Sequence, residues 1–154
     1  MTNIAPGVQL DLTVTTRNAA VPPRAVLQRW AQAAVGRAGK GREIGVRIVG
    51  SGESRKLNRR YRGRDKPTNV LSFPAPAVTS AHTLGDLVIC PEVLRAEARM
   101  QGKKLRAHWA HLVVHGSLHL IGYDHEVPAD APRMERREVR VLRKLGFDNP
   151  YWSA

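Results

Sequence analysis

The chain predicts an α+β fold, a single domain over residues 1–154 with a mixed β-sheet of about four strands and about five helices packed on it. Three observations carry that expectation. A length of 154 residues with 42% hydrophobic residues suits one domain that can bury a core, and argues against a disordered basic tail. Segments apolar at every second position alternate with segments whose apolar residues recur every three or four. Gly and Pro fall between these segments, where turns and helix ends need them.

Val8, Leu10, Leu12 and Val14 alternate with polar residues, the period of a half-buried strand. Pro22 and Pro23 open a helix whose apolar stripe is Val26, Leu27, Trp30 and Ala34, and which ends in the stretch Gly36 to Gly41. Ile44, Val46 and Ile48 alternate again. Ser51 is placed to cap a short helix from about Gly52 to Tyr61, and Pro67 stops helix before the strand VLSF. Leu84 to Cys90 forms a further strand. Pro91 suits the first turn of a helix running to about Gly102, and the next helix spans about Leu105 to Ile121. Leu112, Val113, Leu118 and Leu120 on that helix predict burial over most of its circumference. Pro128 to Leu145 reads as the last helix, stopped by Gly146, with Met134 as core filling.

Charge speaks to partners. The 25 Lys+Arg against 13 Asp+Glu give a formal net charge of +12, a field that attracts polyanions. Cys90 is the only cysteine, which excludes an internal disulfide framework; following LVI, it reads as a small buried hydrophobe. The start MTNIAPGVQLDL lacks the pattern of a secretory signal, and no apolar run approaches the ~18 residues of a membrane span. The expectation is a cytoplasmic protein with no membrane association. No repeat, linker or low-complexity segment interrupts the chain.

The segment HGSLHLIGYDH, His115 to His125, is the most specific motif. His115 and His119, four apart on a helix, lie on one face roughly 6 Å apart along the axis. Gly122 can take a left-handed helix end and turn the chain so that His125 returns as a third ligand. The pattern HxxxHxxGxxH is the metzincin zinc-site spacing with Gly116 where a peptidase carries its general-base Glu, so a zincin-like metal helix is expected without the peptidase base. Three neutral nitrogen ligands leave one position of a tetrahedral Zn²⁺ open, the mark of a catalytic site, with one ion per chain. They also leave the ion fully cationic, suited to a phosphodiester and to lowering the pKa of a bound water. His108 and His111 lie on the same helix. Three consecutive turns cannot all converge on one ion, so His111 is expected behind the ligands or in the core.

A second cluster runs from Arg55 to Pro74. Arg55, Lys56, Arg59, Arg60, Arg62, Arg64 and Lys66 are candidate RNA contacts, with Tyr61 among them to stack on a base or ribose. Each phosphate neutralised should contribute about 0.7 to the log–log salt slope for single strands and about 0.9 for duplex.

Taken together, LNRRYRGRDKPTNVLSFP, LGDLVIC and HWAHLVVHGSLHLIGYDH closely resemble the bacterial YbeY family of ribosomal RNA maturation factors, over about Ile44 to Tyr151 and including the DNPYW ending. The resemblance implies a metal-dependent, single-strand-specific endoribonuclease. It would act in rRNA processing (3′ end maturation of 16S rRNA), small-subunit assembly and ribosome quality control. The implied partners are ribosomal RNA and the small ribosomal subunit, with ribosomal proteins or assembly factors beside them. By motif position it assigns the metal to His115, His119 and His125 and the catalytic role to Arg62. A planar guanidinium can hold a phosphate in bidentate fashion and share charge as the phosphorane develops, which a Lys cannot do.

Asn69 stands where many relatives carry Asp, so it is given no catalytic role. Asp124 orients a histidine from behind, or acts on the bound water, or is a simple turn residue; Ser72 and Asp86 stand between site and structure in the same way. The nucleophile is either a metal-activated water or the neighbouring 2′-OH, and cyclic phosphate product ends would rule out direct hydrolysis as the main route. Two rival classes are a non-catalytic RNA-binding assembly factor braced by structural zinc, and a zinc peptidase, against which Gly116 argues.

Overall fold

The computed structural model describes residues 7–17, 20–124 and 126–152. Its elements follow in the order β1 (Gln9–Val14), α1 (Arg24–Val35), β2 (Glu43–Ile48), α2 (Ser51–Arg62), β3 (Val70–Pro74), β4 (Thr83–Ile89), α3 (Pro91–Gln101), α4 (Leu105–Leu120) and α5 (Ala131–Lys144), with short 3-10 turns at Gly36–Gly39 and Ala77–Thr79. The expected mixed four-stranded sheet with five helices is what forms. Strand order is β1-β2-β4-β3, parallel from β1 through β4, with β3 antiparallel along one edge.

The alternation that marks the strands sorts their side chains between two unequal faces. Leu10, Ile44, Val46, Ile48, Val70, Leu87 and Ile89 enter the main core, where they meet Leu27 and Trp30 of α1, Leu94 of α3, Trp109 and Val113 of α4, and Met134 and Leu142 of α5. The opposite face holds a second, smaller cluster of Val49, Leu71 and Val88, against which Leu57 of α2 and Phe73 pack. Met134 and Cys90 are buried, as the sequence implies.

α4 is the organising helix. It packs against α1, α3, α5, β3 and β4. The approach to the sheet is close at Gly116, where an added Cβ would stand 2.9 Å from Leu87 Cδ2, 3.2 Å from Val70 Cγ2 and 3.3 Å from Ser72 Oγ. Ser72 Oγ donates to the Gly116 carbonyl at 3.2 Å, pinning the helix to the edge strand. A glutamate at the position where a peptidase needs one would have to displace Leu87 and crowd Val70 and Ser72.

Two helix starts differ from expectation. Ser51 is the first residue of α2 rather than its cap; Gly50 holds the cap position in extended backbone, and no side-chain cap forms. α5 begins at Ala131 after Asp130, not at Pro128, because residues 126–130 are spent on the turn that leaves the histidine helix. That exit is a Schellman ending: Gly122 has φ 101°, its N–H bonds the His119 carbonyl at 3.1 Å, and Tyr123 N–H bonds the Leu118 carbonyl at 3.1 Å. Among the described residues no helix is long and apolar enough to cross a membrane.

Candidate metal centre and cationic cleft

From His108 to Leu120 every residue of α4 is buried except His111, His115 and His119. These recur every four residues, so the one stripe of the helix left open is a stripe of imidazoles. It lines a cleft of about 1270 Å³ whose other walls are β3, the end of α2, Glu97 and Gln101 of α3, Lys103, residues 122–124 and 126, and residues 150–152.

The first two predicted ligands face each other. His115 Nε2 and His119 Nε2 are 3.2 Å apart, and their rings meet at 79° with centroids 4.7 Å apart. Two imidazole nitrogens on one tetrahedral ion, each at about 2.0 to 2.1 Å, would stand about 3.3 Å apart, so the pair fits a metal without moving either helix turn. The other nitrogen of His115, Nδ1, bonds Glu138 Oε1. A carboxylate accepts, so that nitrogen carries the proton and the Nε2 lone pair points toward His119. His125, the third predicted ligand, lies outside the described residues.

The carboxylate behind His115 was not anticipated. Glu138 of α5 is 0% exposed and also receives the Tyr151 hydroxyl; His111 Nε2 lies 3.7 Å from its Oε2. Burial on its own would raise the Glu138 carboxyl, but the facing His111 and His115 rings and the Tyr151 hydroxyl outweigh it and hold it down at about 2. Burial and the neighbouring carboxylate push the Tyr151 phenol far above its ordinary range. Among the described residues His111, His115 and Glu138 form a group that could hold a metal ion, their ligand atoms all within 4.8 Å of one another. His111, expected behind the ligands or in the core, lines the cleft with its Nε2 3.7 Å from Glu138 Oε2. Three turns of one helix do not converge on a point, but a carboxylate from α5 spans the gap between two of them. A signal for Glu138 exists in the sequence: with Met134, Val141 and Leu142 it sits on the apolar stripe of α5, the one acidic side chain there.

Arg62, the last residue of α2, lines the same cleft, with Nη2 3.4 Å from Glu126 Oε1. Such a half-exposed pair is worth little and can give way to a phosphate. Tyr61 beside it packs edge-on to Phe73, with centroids 5.0 Å apart, and carries the Arg60 guanidinium over its ring at 5.5 Å. The remaining predicted RNA contacts, Arg55, Lys56, Arg59, Arg60, Arg64 and Lys66, are exposed on α2 and the loop after it but do not line the cleft. Arg55 is engaged in a bidentate pair with Asp65, Nε to Oδ1 at 2.8 Å and Nη2 to Oδ2 at 3.0 Å.

Asp124 lines the cleft but spends Oδ1 on the Glu126 N–H at 2.8 Å, an Asx turn. Deeper in, Asn69 donates to both oxygens of Glu97, at 3.1 and 3.2 Å, and His108 Nε2 meets Glu97 Oε1 at 2.9 Å. Burial would raise the Glu97 carboxyl; the bonds from His108 and Asn69 prevail and keep it below its usual value.

A histidine stripe fitted to a metal, faced across a cleft by arginine and tyrosine, defines an enzyme-like centre for a polyanionic substrate. The comparisons with known proteins agree. The family model for endoribonuclease YbeY matches residues 12–146. An endoribonuclease YbeY of Halorhodospira halophila is 53% identical over 139 residues, covering 86% of this chain and 90% of the relative. The chain belongs to the YbeY endoribonuclease family. A solution structure of a Thermotoga maritima protein shares the fold, with a TM-score of 0.59 at 22% identity over 94% of this chain and 99% of that one.

Proposed function

We infer that residues 1–154 act as one domain, a metal-dependent endoribonuclease that cleaves single-stranded RNA in the cytoplasm during small-subunit rRNA processing, including the 3′ end of 16S rRNA. Its partners on this reading are ribosomal RNA and the small ribosomal subunit, joined by ribosomal proteins or assembly factors, and it serves subunit assembly and ribosome quality control. The observation that carries the reading is the His115–His119 pair, Nε2 to Nε2 at 3.2 Å, opening into the cleft that Arg62 also lines.

His115, His119 and His125 would hold one ion, and Zn²⁺ suits three neutral nitrogens with an open position. Bound there, it would supply Lewis-acid polarisation of a phosphodiester. The chain's own residues do the rest. Glu138 keeps the His115 proton on Nδ1. Arg62, released from Glu126, grips a non-bridging phosphate oxygen and shares the charge that develops there. Tyr61 offers an exposed ring, already braced by Phe73, on which a base of an unpaired strand can stack; a duplex hides that face. Arg55, Lys56, Arg59, Arg60, Arg64 and Lys66 hold the strand on either side. Asp124 accepts the Glu126 N–H at the rim of the cleft.

The test is direct. Purified protein of measured metal content is given single-stranded and duplex RNA of one sequence, beside Arg62→Ala, His119→Ala and a chelator control. Cleavage confined to the single strand and lost in all three controls supports the reading. Unchanged cleavage in the two variants would mean a contaminating nuclease.

A further inference from the structure

The strap over residues 148–152 is tied to α5 and to the histidine helix by a single side chain. Tyr151 places its hydroxyl on Glu138 Oε2 while its ring stands edge-on to His111, with centroids 5.4 Å apart. Pro150 receives Lys103 Nζ on its carbonyl, and Asn149 holds the turn by accepting the Tyr151 N–H at 2.8 Å. Glu138 thus has one oxygen on His115 and the other on Tyr151, sealed from water at 0% exposure.

A buried carboxylate with both oxygens committed cannot swing toward an ion on the cleft side of His115 without breaking both bonds. It can only act through the ring it holds. We propose that Glu138 is a positioning residue: anchored by Tyr151, it fixes the His115 ring plane and keeps the Nε2 lone pair turned to the ion, so that metal affinity depends on a strap more than thirty residues further along the chain. The alternative assembly of the same atoms, with Glu138 itself as a ligand beside His111 and His115, would require His115 to bind through Nδ1. It would leave the 3.2 Å facing pair of Nε2 atoms without a purpose. The inference rests on the histidine site proposed above.

The experiment measures Zn²⁺ binding to the folded protein without RNA, by competition with a chromophoric chelator. The proteins are the parent, His119→Ala, Glu138→Gln, Glu138→Ala and Tyr151→Phe, with the folded fraction of each set by circular dichroism. Loss of a partner hydrogen-bonded behind a ligand typically weakens metal affinity 10- to 100-fold. Glu138→Gln, whose amide oxygen can still accept from Nδ1, should therefore lose about 10-fold and Glu138→Ala about 100-fold. Tyr151→Phe should lose less than about 10-fold, and stoichiometry should stay at one ion. A second readout is the ¹⁵N chemical shift pair of His115, which should report the Nδ1-protonated tautomer in the parent and a mixture in Glu138→Ala.

The outcomes separate the two readings. If His119→Ala loses zinc while the Glu138 and Tyr151 variants bind like the parent, the positioning role is overturned and the histidine site stands. If His119→Ala binds like the parent while Glu138→Gln binds none, Glu138 is a ligand and both readings fall. Should Glu138→Ala not fold, parent-like affinity in Glu138→Gln and Tyr151→Phe together is enough to reject the proposal.

Discussion

The two helices that wall the cleft are built on opposite principles. α4 is buried from His108 to Leu120 save for three imidazoles, held by five other elements and pinned to the sheet at Gly116. α2 buries only Ser54 and Asn58, leans on the sheet through Leu57, and leaves its arginines in water. One wall fixes atoms by packing, where a few tenths of an ångström matter; the other offers charge that can be redistributed at little cost. The contrast suits a substrate whose reacting phosphate must be placed accurately while the strand around it varies.

The sharpest break in that contrast comes from the packed wall. His119→Ala should lower single-turnover cleavage of single-stranded RNA by about 1000-fold or more, several kcal/mol of lost charge stabilisation, with the loss of bound metal seen in the same sample. Gly116→Glu should make no peptidase. It forces a carboxylate against Leu87 and Val70, and should cost about 3 to 5 kcal/mol of stability, visible as a fall of roughly 10 °C in thermal midpoint. On the open wall Arg62, and none of the arginines outside the cleft, should matter for chemistry. Arg62→Ala should lower kcat about 100- to 1000-fold with the midpoint unchanged.

Replacing Arg59, Arg60 and Arg64 together by Ala should leave kcat and the midpoint alone while reducing the single-strand salt slope by about 2, near 0.7 for each lost phosphate contact. Arg55→Ala should change the slope less than any one of these, because Asp65 already engages that guanidinium. The smallest effect is expected away from both walls. Asp86 has its pKa raised by burial and then by Asp11. An acid whose folded pKa is raised destabilises the fold once it ionises, so that penalty grows as pH rises through the carboxylate range and is complete at neutrality. Asp86→Asn should therefore be more stable than the parent at pH 7, by a few tenths of a kcal/mol, and equal to it in acid.

Much of the fold was legible because its signals are local. Alternation at Ile44, Val46 and Ile48 and the leucines beside the histidines fixed element type, and Gly122 announced the helix end. Strand order was not legible: nothing in VLSF says that β3 runs antiparallel along an edge, since that is set by tertiary pairing. At the site, the imidazole pair followed from the i, i+4 spacing. Glu138 and Tyr151 were passed over because they reach His115 from α5 and the strap, and spacing rules see only one element at a time. The cue that was available, an acidic residue on an otherwise apolar stripe, is an argument about energy rather than spacing: an uncompensated charge does not go there. The basic cluster divides in the structure. Of its candidate RNA-contact residues, Tyr61 and Arg62 line the cleft and the others stand outside it, a division that sequence density does not show.

The strap also sets an order of events during synthesis. His115 and His119 leave the ribosome before Glu138, and Tyr151 follows last of the four. Until residue 151 has emerged, the bond that closes over Glu138 cannot form, and the buried carboxylate has no lid. A chain whose residue 151 has not yet emerged holds the histidines and Glu138 without the Tyr151 hydroxyl bond.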